Sequence, residues 1–248
     1  MKISLLLPCL ALTILMTTSA NARDTINVHT VISEFQVERF AKREEEGRPA
    51  VIVLSGSKGF GSPAYDKIGQ TFMEAGLDVY LAHLLSPKDL NSIATAGDSK
   101  ARIEYYDERR RTWNAELSQL VSMLRSQGYT GRIGVLGISL GAETAAIAVS
   151  QNVSADAVVL VDGVPAANQT LSSGKTTPFH LIWGSDDRVY PVSSAHRFIE
   201  NMKNAGNDAT ISVFPGGEHD FFLKPDTPLA RNAYNDVINF MRSKLLGK

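Results

Sequence analysis

Ser139 has the neighbours that are typical of a catalytic nucleophile. It lies in Gly137-Ile138-Ser139-Leu140-Gly141, after an apolar run and before an alanine-rich helical pattern. On a sharp turn between a strand and a helix, the two glycines let backbone segments approach without a Cβ, and the serine hydroxyl stands clear of the sheet. The helix N-terminus also directs the N–H of Leu140 towards a developing oxyanion. The pattern therefore predicts attack by Ser139 on a carbonyl carbon.

Chain order selects the histidine that would take the proton of this serine. A serine nucleophile needs a histidine base, and that histidine needs a carboxylate that fixes its tautomer. In hydrolases with this serine turn, the order along the chain is serine, acid, histidine. Four of the five histidines are set aside because they precede the serine, lie in a strand pattern or follow the acid too closely: His29, His83, His180 and His196. His219 remains, in a glycine-rich segment directly after a predicted strand.

Three aspartates are candidates for the acid. Asp162 ends one predicted strand, and Asp186 and Asp187 follow the next one, which ends at Trp183-Gly184. All three stand at the carboxyl ends of strands, where the sites of open α/β sheets are built. The residues by themselves leave the choice between them open.

Alternating strands and helices would position these side chains. A hairpin of edge strands is predicted over 25–40, where apolar and polar residues alternate, and buried strands are predicted where apolar residues are continuous. The further strands are 50–54, 77–82, 133–138, 157–161, 178–183 and 209–214, and the helices are 63–75, 101–127, 140–150, 193–205 and 228–246. This alternation predicts an α/β fold with a doubly wound, mostly parallel sheet and helices on both faces, in a single domain over 23–248.

Two segments beside these elements are predicted to lie at the surface. Residues 83–99 contain scattered Ser, Pro, Asn, Gly and Asp, which indicates a long loop that borders a pocket and influences specificity. In helix 101–127, Trp113 and the leucines that follow it share one face, and Gly128 ends the helix. The Arg109-Arg110-Arg111 run in the same helix is predicted to be a solvated face.

The first 22 residues have the pattern of a secretory signal. Lys2 precedes an apolar run over 3–16, and Ala20-Asn21-Ala22 matches the Ala-x-Ala exit of such signals. We therefore expect cleavage after Ala22 and export to the periplasm or the medium. The apolar run is shorter than the roughly 20 residues of a membrane-spanning helix, so we expect no stable membrane insertion after cleavage.

Cleavage would leave a chain without cysteine and with little net charge. Cys9 is the only cysteine, which excludes disulfides, a cysteine nucleophile and thiolate metal sites from the mature chain. Loss of Lys2 leaves 24 of the 25 basic residues against 26 acidic ones, a balance that does not suggest a nucleic-acid partner. The sequence has no histidine pair with zinc spacing, and Lys58 is outside any phosphate-loop register, so no metal or organic cofactor is expected.

Three segments together resemble the signature segments of the α/β-hydrolase superfamily and, within it, of the dienelactone-hydrolase-like family. The segments are Gly137–Gly141, Ile182–Pro191 and Gly217–Phe221, and the resemblance extends from Ala50 to the last helix. It implies an α/β-hydrolase fold and a hydrolase that acts on ester bonds through a catalytic triad.

The resemblance also implies which aspartate is the acid. The family's acid segment typically runs Gly-x-x-Asp with Val-x-Pro or Val-Pro close behind, and this register matches Asp187 rather than Asp186, with Asp162 third. The sequence departs from the family in its nucleophile, since dienelactone hydrolases use cysteine where Ser139 stands. It also has Ser55-Gly56-Ser57-Lys58-Gly59 where many relatives begin the oxyanion segment with His-Gly.

The loop after strand 50–54 is expected to complete the oxyanion site. The backbone N–H of Ser57 or Lys58 would be the second donor, paired with that of Leu140. The connection 163–177 is too short for a large lid domain, which favours a small or soluble ester, lactone or thioester as substrate. An acyltransferase or peptidase on the same triad, or a non-catalytic binding protein of this fold, remains an alternative. The sequence leaves the oligomeric state open.

Overall fold

The part of the chain that the structure describes folds into one sheet flanked by helices. The computed structural model describes residues 23–29, 33–41, 47–126, 129, 131–151, 153–166 and 177–247. The strands are β1 Arg23–His29, β2 Glu34–Phe40, β3 Ala50–Leu54, β4 Asp78–Ala82, β5 Ile133–Ile138, β6 Ala157–Val161, β7 Phe179–Gly184 and β8 Ala209–Phe214. The helices are α1 Ala64–Glu74, α2 Pro87–Thr95, α3 Ser99–Ser126, α4 Leu140–Ser150, α5 Val192–Asn204 and α6 Pro228–Leu245, with a 3-10 turn at Phe221–Leu223.

The strands lie in the order β1-β2-β4-β3-β5-β6-β7-β8. β1 and β2 form an antiparallel hairpin, and β2 is also antiparallel to β4. All the other neighbouring strands are parallel. This order confirms the predicted hairpin and the doubly wound, mostly parallel sheet. Because the parallel strands end at the same edge, the segments after β3, β5, β7 and β8 meet there.

Helices cover both faces of the sheet. Successive side chains of a strand point to opposite faces. Val51 and Val53 of β3 therefore pack with residues of α1 and α6, whereas Ile52 and Leu54 pack with residues of α3, α4 and α5. Burial on both faces explains why β3 is continuously apolar. The predicted apolar face of α3 is confirmed, since its large side chains are buried: Trp113, Leu117, Leu120, Val121 and Leu124.

The prediction of a loop over 83–99 is wrong for the residues that form α2. The hydroxyl of Ser86 accepts a hydrogen bond from the N–H of Asp89 (3.1 Å), and the carboxylate of Asp89 accepts one from the N–H of Ser86 (2.9 Å). This reciprocal pair is a capping box, and Pro87 occupies the first helical position, where its fixed φ suits a helix start. The polar residues that suggested a loop therefore start a helix. The segment does border a cavity, as expected.

The prediction of a solvated face for Arg109-Arg110-Arg111 is also wrong for two of the three arginines. Arg109 Nε lies 2.7 Å from a carboxylate oxygen of Asp89, and the hydroxyl of Tyr105 donates to the same oxygen at 2.6 Å. The side chain of Arg110 is only 13% exposed. Arg111 is exposed. Arg109 therefore joins α3 to α2, and Arg110 is mostly buried beside Glu143 of α4.

Some expectations concern residues outside the described part of the chain. The predicted signal at 1–22 and the predicted helix end at Gly128 both lie there. The other predicted helices and strands agree with the observed ones to within two residues at each end.

In the described ranges, no helix combines the length and the hydropathy that crossing a bilayer requires.

Asp89 is ionised in the folded protein well into the acidic range. Burial opposes its ionisation, but hydrogen bonds from Arg109, Tyr105 and Ser86 outweigh burial and lower its pKa to about 2, from an ordinary value of 3.8. A carboxyl whose folded pKa is lower than its unfolded pKa stabilises the fold above the unfolded pKa. The stabilisation by Asp89 is therefore present above about pH 4 and is lost as the pH falls towards 2.

Replacement of Asp89 should loosen the contact between α2 and α3. Asp89→Asn should lower the free energy of unfolding at pH 7 by about 1–3 kcal/mol, because Arg109 loses its carboxylate partner. Urea unfolding measures this change. Glu104→Gln is a matched control on α3, because it removes only an exposed ion pair with Lys100. It should change the free energy by less than about 0.5 kcal/mol. Equal losses in the two variants would contradict the anchoring role of Asp89.

Candidate active site

Ser139 occupies a strained turn between β5 and α4. Its φ of 53° and ψ of −115° lie outside the regions that residues with side chains prefer, and its N–H donates to the carbonyl oxygen of Val161 (2.8 Å). A Cβ at Gly137 would lie 2.3 Å from the carbonyl oxygen of Gly141, and a Cβ at Gly141 would lie 2.4 Å from that of Leu54. Real Cβ atoms do not come so close to backbone. The two glycines thus permit the close approach that the sequence predicts.

Two further glycines, which the sequence analysis did not single out, hold the loops of the site together. A Cβ at Gly163 would lie 2.4 Å from the carbonyl oxygen of Ser139. A Cβ at Gly184 would lie 2.2 Å from the carbonyl oxygen of Gly217, which belongs to the segment before His219. Each glycine stands at or just beyond the carboxyl end of a strand, and this position was the signal for both.

Ser139, His219 and Asp187 form a continuous line of hydrogen bonds. The Oγ of Ser139 lies 3.0 Å from Nε2 of His219, and Nδ1 of His219 lies 2.9 Å from Oδ2 of Asp187. Oδ1 of Asp187 accepts hydrogen bonds from the N–H groups of Val189 (2.7 Å) and Tyr190 (2.9 Å). The Asp187 side chain is fully buried, whereas that of His219 is 19% exposed. In this geometry the ring can take a proton from the serine while the carboxylate stabilises the charge.

The other two candidate acids lie close by in different surroundings. Asp186 is exposed, and its carboxylate accepts a hydrogen bond from Ser185 Oγ (2.7 Å). Asp162 is buried, has a φ of 46°, and accepts a hydrogen bond from the N–H of Gly184 (2.9 Å) on Oδ1. Its Oδ2 is buried and has no hydrogen-bond partner among the described residues. Asp187 is the candidate whose carboxylate contacts His219.

Burial raises the pKa of Asp162 to about 8, from an ordinary value of 3.8. The N–H of Gly184 opposes this shift, and the negative charge of Asp187 adds to it. Asp162 therefore carries its proton at neutral pH.

Asp162, Asp187 and His219 also have the spacing of a metal site. One ligand atom from each lies within 4.8 Å of the others. However, His219 directs one ring nitrogen at Ser139 and the other at Asp187, so both nitrogens already have partners. A metal ion at this cluster would have to displace one of these hydrogen bonds. The donor set thus fits proton transfer better than metal ligation.

The predicted oxyanion donors lie beside the serine. Ser57, Lys58 and Leu140 line the same cavity as Ser139. Leu140 is the first residue of α4, and the N–H groups of the first helical turn have no acceptor within the helix. The loop after β3 also reaches the turn, since a Cβ at Gly56 would lie 3.6 Å from Cβ of Ser139. An oxyanion formed at Ser139 would therefore lie between these two backbone segments.

A cavity of about 1500 Å³ opens over Ser139 and His219. Its walls come from α2, α3 and α5 and from the segments after β3 and β6. Apolar side chains form much of the wall: Leu90, Ile93, Val164, Phe198 and Met202. Basic side chains reach it from several elements: Lys58, Arg102, Arg110 and Arg197. The cavity is larger than the roughly 300–1,000 Å³ of common small-molecule sites.

The remaining histidines lie in other elements: His29 in β1, His83 after β4, His180 in β7 and His196 in α5. The prediction that His180 lies in a strand is confirmed. Its ring is buried and stacks on Phe240 at 5.0 Å, and its Nε2 lies 3.3 Å from Asp236. None of these four lines the cavity over Ser139.

Two residues of the site were missed by the sequence analysis. The ring of Tyr190 stacks on that of His219, with centroids 5.7 Å apart and planes 22° apart. The hydroxyl of Tyr190 donates a short hydrogen bond to Glu143. Glu143 stands in the first turn of α4, four residues after Ser139. That spacing was the signal for Glu143, whereas no local pattern distinguishes Tyr190.

Comparisons with known proteins show which family and which solved structures the chain is similar to. The dienelactone hydrolase family matches residues 38–245 of the chain. The solved dienelactone hydrolase from Anabaena variabilis is similar, with a TM-score of 0.68 and 15% identity over 90% of this chain and 98% of that one. The dienelactone hydrolase-like promiscuous phosphotriesterase P91 from metagenomic libraries has a TM-score of 0.76 and 14% identity, over 91% and 100% of the two chains.

A thermophilic esterase, Est2 of Thermogutta terrifontis, has a TM-score of 0.65 and 16% identity, over 90% of this chain and 92% of that one. Similarity at these identities shows the fold, and it confirms the predicted α/β-hydrolase architecture. No curated protein matches the chain.

The neutral Asp162 leads to a prediction about stability and pH. The folded protein holds a proton on Asp162 that the unfolded chain releases near pH 4, so this group makes stability fall as the pH rises towards 8. The fall is about 1.4 kcal/mol per pH unit from this group alone. Asp162→Asn keeps an oxygen for the N–H of Gly184 and tolerates the positive φ. Its stability relative to wild type should therefore increase between pH 5 and pH 8.

Urea unfolding at several pH values measures this difference. Asp186→Asn removes an exposed neighbouring carboxylate and serves as the control for the loss of an acidic side chain at this edge of the sheet. A difference between Asp162→Asn and wild type that stays constant with pH would show that Asp162 is ionised in the folded protein.

Proposed function

The chain belongs to the dienelactone hydrolase family and is a hydrolase that acts on ester bonds, and we propose that it does so through Ser139, His219 and Asp187. The observation that carries this proposal is the line of hydrogen bonds from Ser139 Oγ through the His219 ring to Asp187, of 3.0 and 2.9 Å. Contacts of this length let His219 accept a proton at Nε2 while Asp187 stabilises the charge from Nδ1.

The first half of the reaction forms an acyl-enzyme. His219 removes the proton of Ser139, and the serine oxygen attacks the ester carbonyl carbon. The negative charge that develops on the carbonyl oxygen is stabilised by the N–H of Leu140 and by that of Ser57 or Lys58. The ester C–O bond then breaks, and His219 returns the proton to the departing alcohol oxygen. The acyl group remains on Ser139.

In the second half of the reaction, the same residues release the acyl group to water. A water molecule takes the place of the alcohol and gives a proton to Nε2 of His219 as its oxygen attacks the acyl carbon. The bond between that carbon and the serine oxygen breaks, and the proton passes to Ser139. The products are a carboxylic acid and the free enzyme. Asp187 keeps the ring in the same orientation through both halves.

The substrate we propose is a small or soluble ester, lactone or thioester. The cavity of about 1500 Å³ over Ser139 is reached without an inserted lid domain, since few residues separate Val164 from Thr177. Its apolar wall suits an acyl group of several carbons, and its basic side chains suit polar oxygens on the other part of the molecule.

We also propose that the protein works after export, as a single domain that begins after the signal. The support is the sequence pattern at 1–22, in which a positive start, an apolar run and an Ala-x-Ala exit follow one another. Export would place the enzyme in the periplasm or outside the cell, which are oxidising environments. The mature chain would have no cysteine thiol that could be oxidised there.

The triad is tested by labelling with a fluorophosphonate, which reacts with activated serines. Wild type should be labelled and Ser139→Ala should not, because the hydroxyl that reacts is absent. Rates on a short-chain p-nitrophenyl ester identify the acid. Asp187→Asn should lower kcat by about 10²- to 10⁴-fold, because His219 loses the partner that orients it.

Asp186→Asn is the matched control, an exposed carboxylate one residue away, and its kcat should stay within about twofold of wild type. Absence of labelling in wild type, or equal labelling of Ser139→Ala, would exclude the proposed mechanism and favour a binding protein of this fold. A larger loss for Asp186→Asn would move the acid to Asp186.

Export is tested by producing the full-length chain in a bacterium with two membranes. The mature protein should appear in the periplasm or medium, and N-terminal sequencing should begin at Arg23. A chain without residues 1–22 should remain in the cytoplasm. Recovery of the full-length protein in the cytoplasm with Met1 still present would refute the predicted signal.

A further inference from the structure

Tyr190 touches both the base and the acid of the proposed triad. Its ring stacks on the imidazole of His219, with centroids 5.7 Å apart, and its N–H donates to Oδ1 of Asp187 at 2.9 Å. Its carbonyl oxygen accepts a hydrogen bond from the indole N–H of the buried Trp183 (2.9 Å). The backbone of Tyr190 is therefore tied to the acid and to β7, while its side chain covers one face of the base.

The far end of Tyr190 is tied to the helix that carries the nucleophile. The phenol donates to Oε1 of Glu143, on α4. The other oxygen of Glu143 lies 3.8 Å from Arg110 of α3, and both side chains are only 13% exposed. Arg110 also pairs with Asp107 at 2.9 Å. Contacts at both ends leave the phenol ring little freedom to rotate away from His219.

Contacts with both the base and the acid indicate that Tyr190 serves catalysis as well as packing. We propose that Tyr190 is a positioning residue that holds the His219 ring in line with Ser139, and that Glu143 holds Tyr190 in place. The proposal rests on the catalytic roles proposed above for Ser139 and His219. It adds a connection between α4 and the loops after β7 and β8, so that the three parts of the site keep their relative positions.

The stacked ring also acts on the charge of His219. The imidazole becomes positive when it takes the serine proton, and the face of an aromatic ring attracts a cation. Removal of the ring should therefore make His219 a weaker base as well as a less well oriented one. The charged and titratable groups that lie beside His219 or reach it through Tyr190 are Asp187, Asp162, Glu143, Arg110 and Tyr106, and the exposed Asp220 is the next residue in the chain.

Two substitutions of Tyr190 distinguish the effect of its ring from the effect of its hydroxyl. Tyr190→Leu removes the stacked ring and should lower kcat by about 10- to 100-fold, with KM changed by less than about threefold, because orientation of the base affects the chemical step. The apparent pKa on the acid side of the kcat/KM profile should fall by about half a unit. Tyr190→Phe keeps the ring and should lower kcat by only about two- to fivefold.

A second tyrosine provides the matched control. Tyr105 also donates its hydroxyl to a buried carboxylate, that of Asp89 (2.6 Å), and it does not line the cavity. Tyr105→Leu should lower stability and leave the pH profile unchanged. If Tyr190→Leu does not fold, Tyr190→Phe and Glu143→Gln test the same connection, and each should lower kcat by about two- to fivefold, without a comparable change in KM.

The outcomes separate this proposal from the proposed function. A wild-type protein that neither hydrolyses esters nor reacts with a fluorophosphonate overturns both. An active wild type with an unchanged kcat and pH profile in folded Tyr190→Leu overturns the role of Tyr190 alone. So does an equal loss of kcat in Tyr105→Leu, because the effect would then follow stability. If Tyr190→Leu does not fold, wild-type kcat in both Tyr190→Phe and Glu143→Gln also overturns it.

Discussion

The close approach of backbone segments around Ser139 is the constraint on which the rest of the site depends. Gly137, Gly141 and Gly163 lie where any Cβ would come within 2.5 Å of a backbone carbonyl oxygen from another segment. These segments belong to strands and a helix that cannot shift separately without breaking their hydrogen bonds. The strained φ of Ser139 is therefore maintained by its surroundings, as is common where strain serves a functional group.

The sheet brings the other residues of the site to this strained turn. Because β5, β7 and β8 are parallel members of one sheet, the residues that follow them meet at one edge, although they are far apart in sequence. The contact of Gly184 with Gly217 then holds the segment of the acid against that of the base. A hydrogen-bonded line between Ser139, His219 and Asp187 thus requires the register of three strands as well as the three side chains.

Local patterns were sufficient to predict the strands, most helices and the positions of Ser139 and His219. They were insufficient wherever a partner is distant in the sequence. The start of α2 was missed because Ser86 and Asp89 are common both in loops and in helix caps, and the partner that makes Asp89 structural is Arg109 on another helix. The choice among three aspartates needed a family resemblance, since only the fold shows which carboxylate reaches His219.

Two neighbouring carboxyls at the site, Asp162 and Asp187, differ in what surrounds them, and this difference fits the role of Asp187 in the proposed mechanism. Burial raises the pKa of Asp162 to about 8, so this carboxyl is mostly neutral near pH 7. Asp187 receives two N–H donors on Oδ1 and directs Oδ2 at His219, whereas Asp162 receives one donor and keeps its Oδ2 unpaired among the described residues. The two backbone donors therefore fix the carboxylate of Asp187 in the orientation in which it contacts the base.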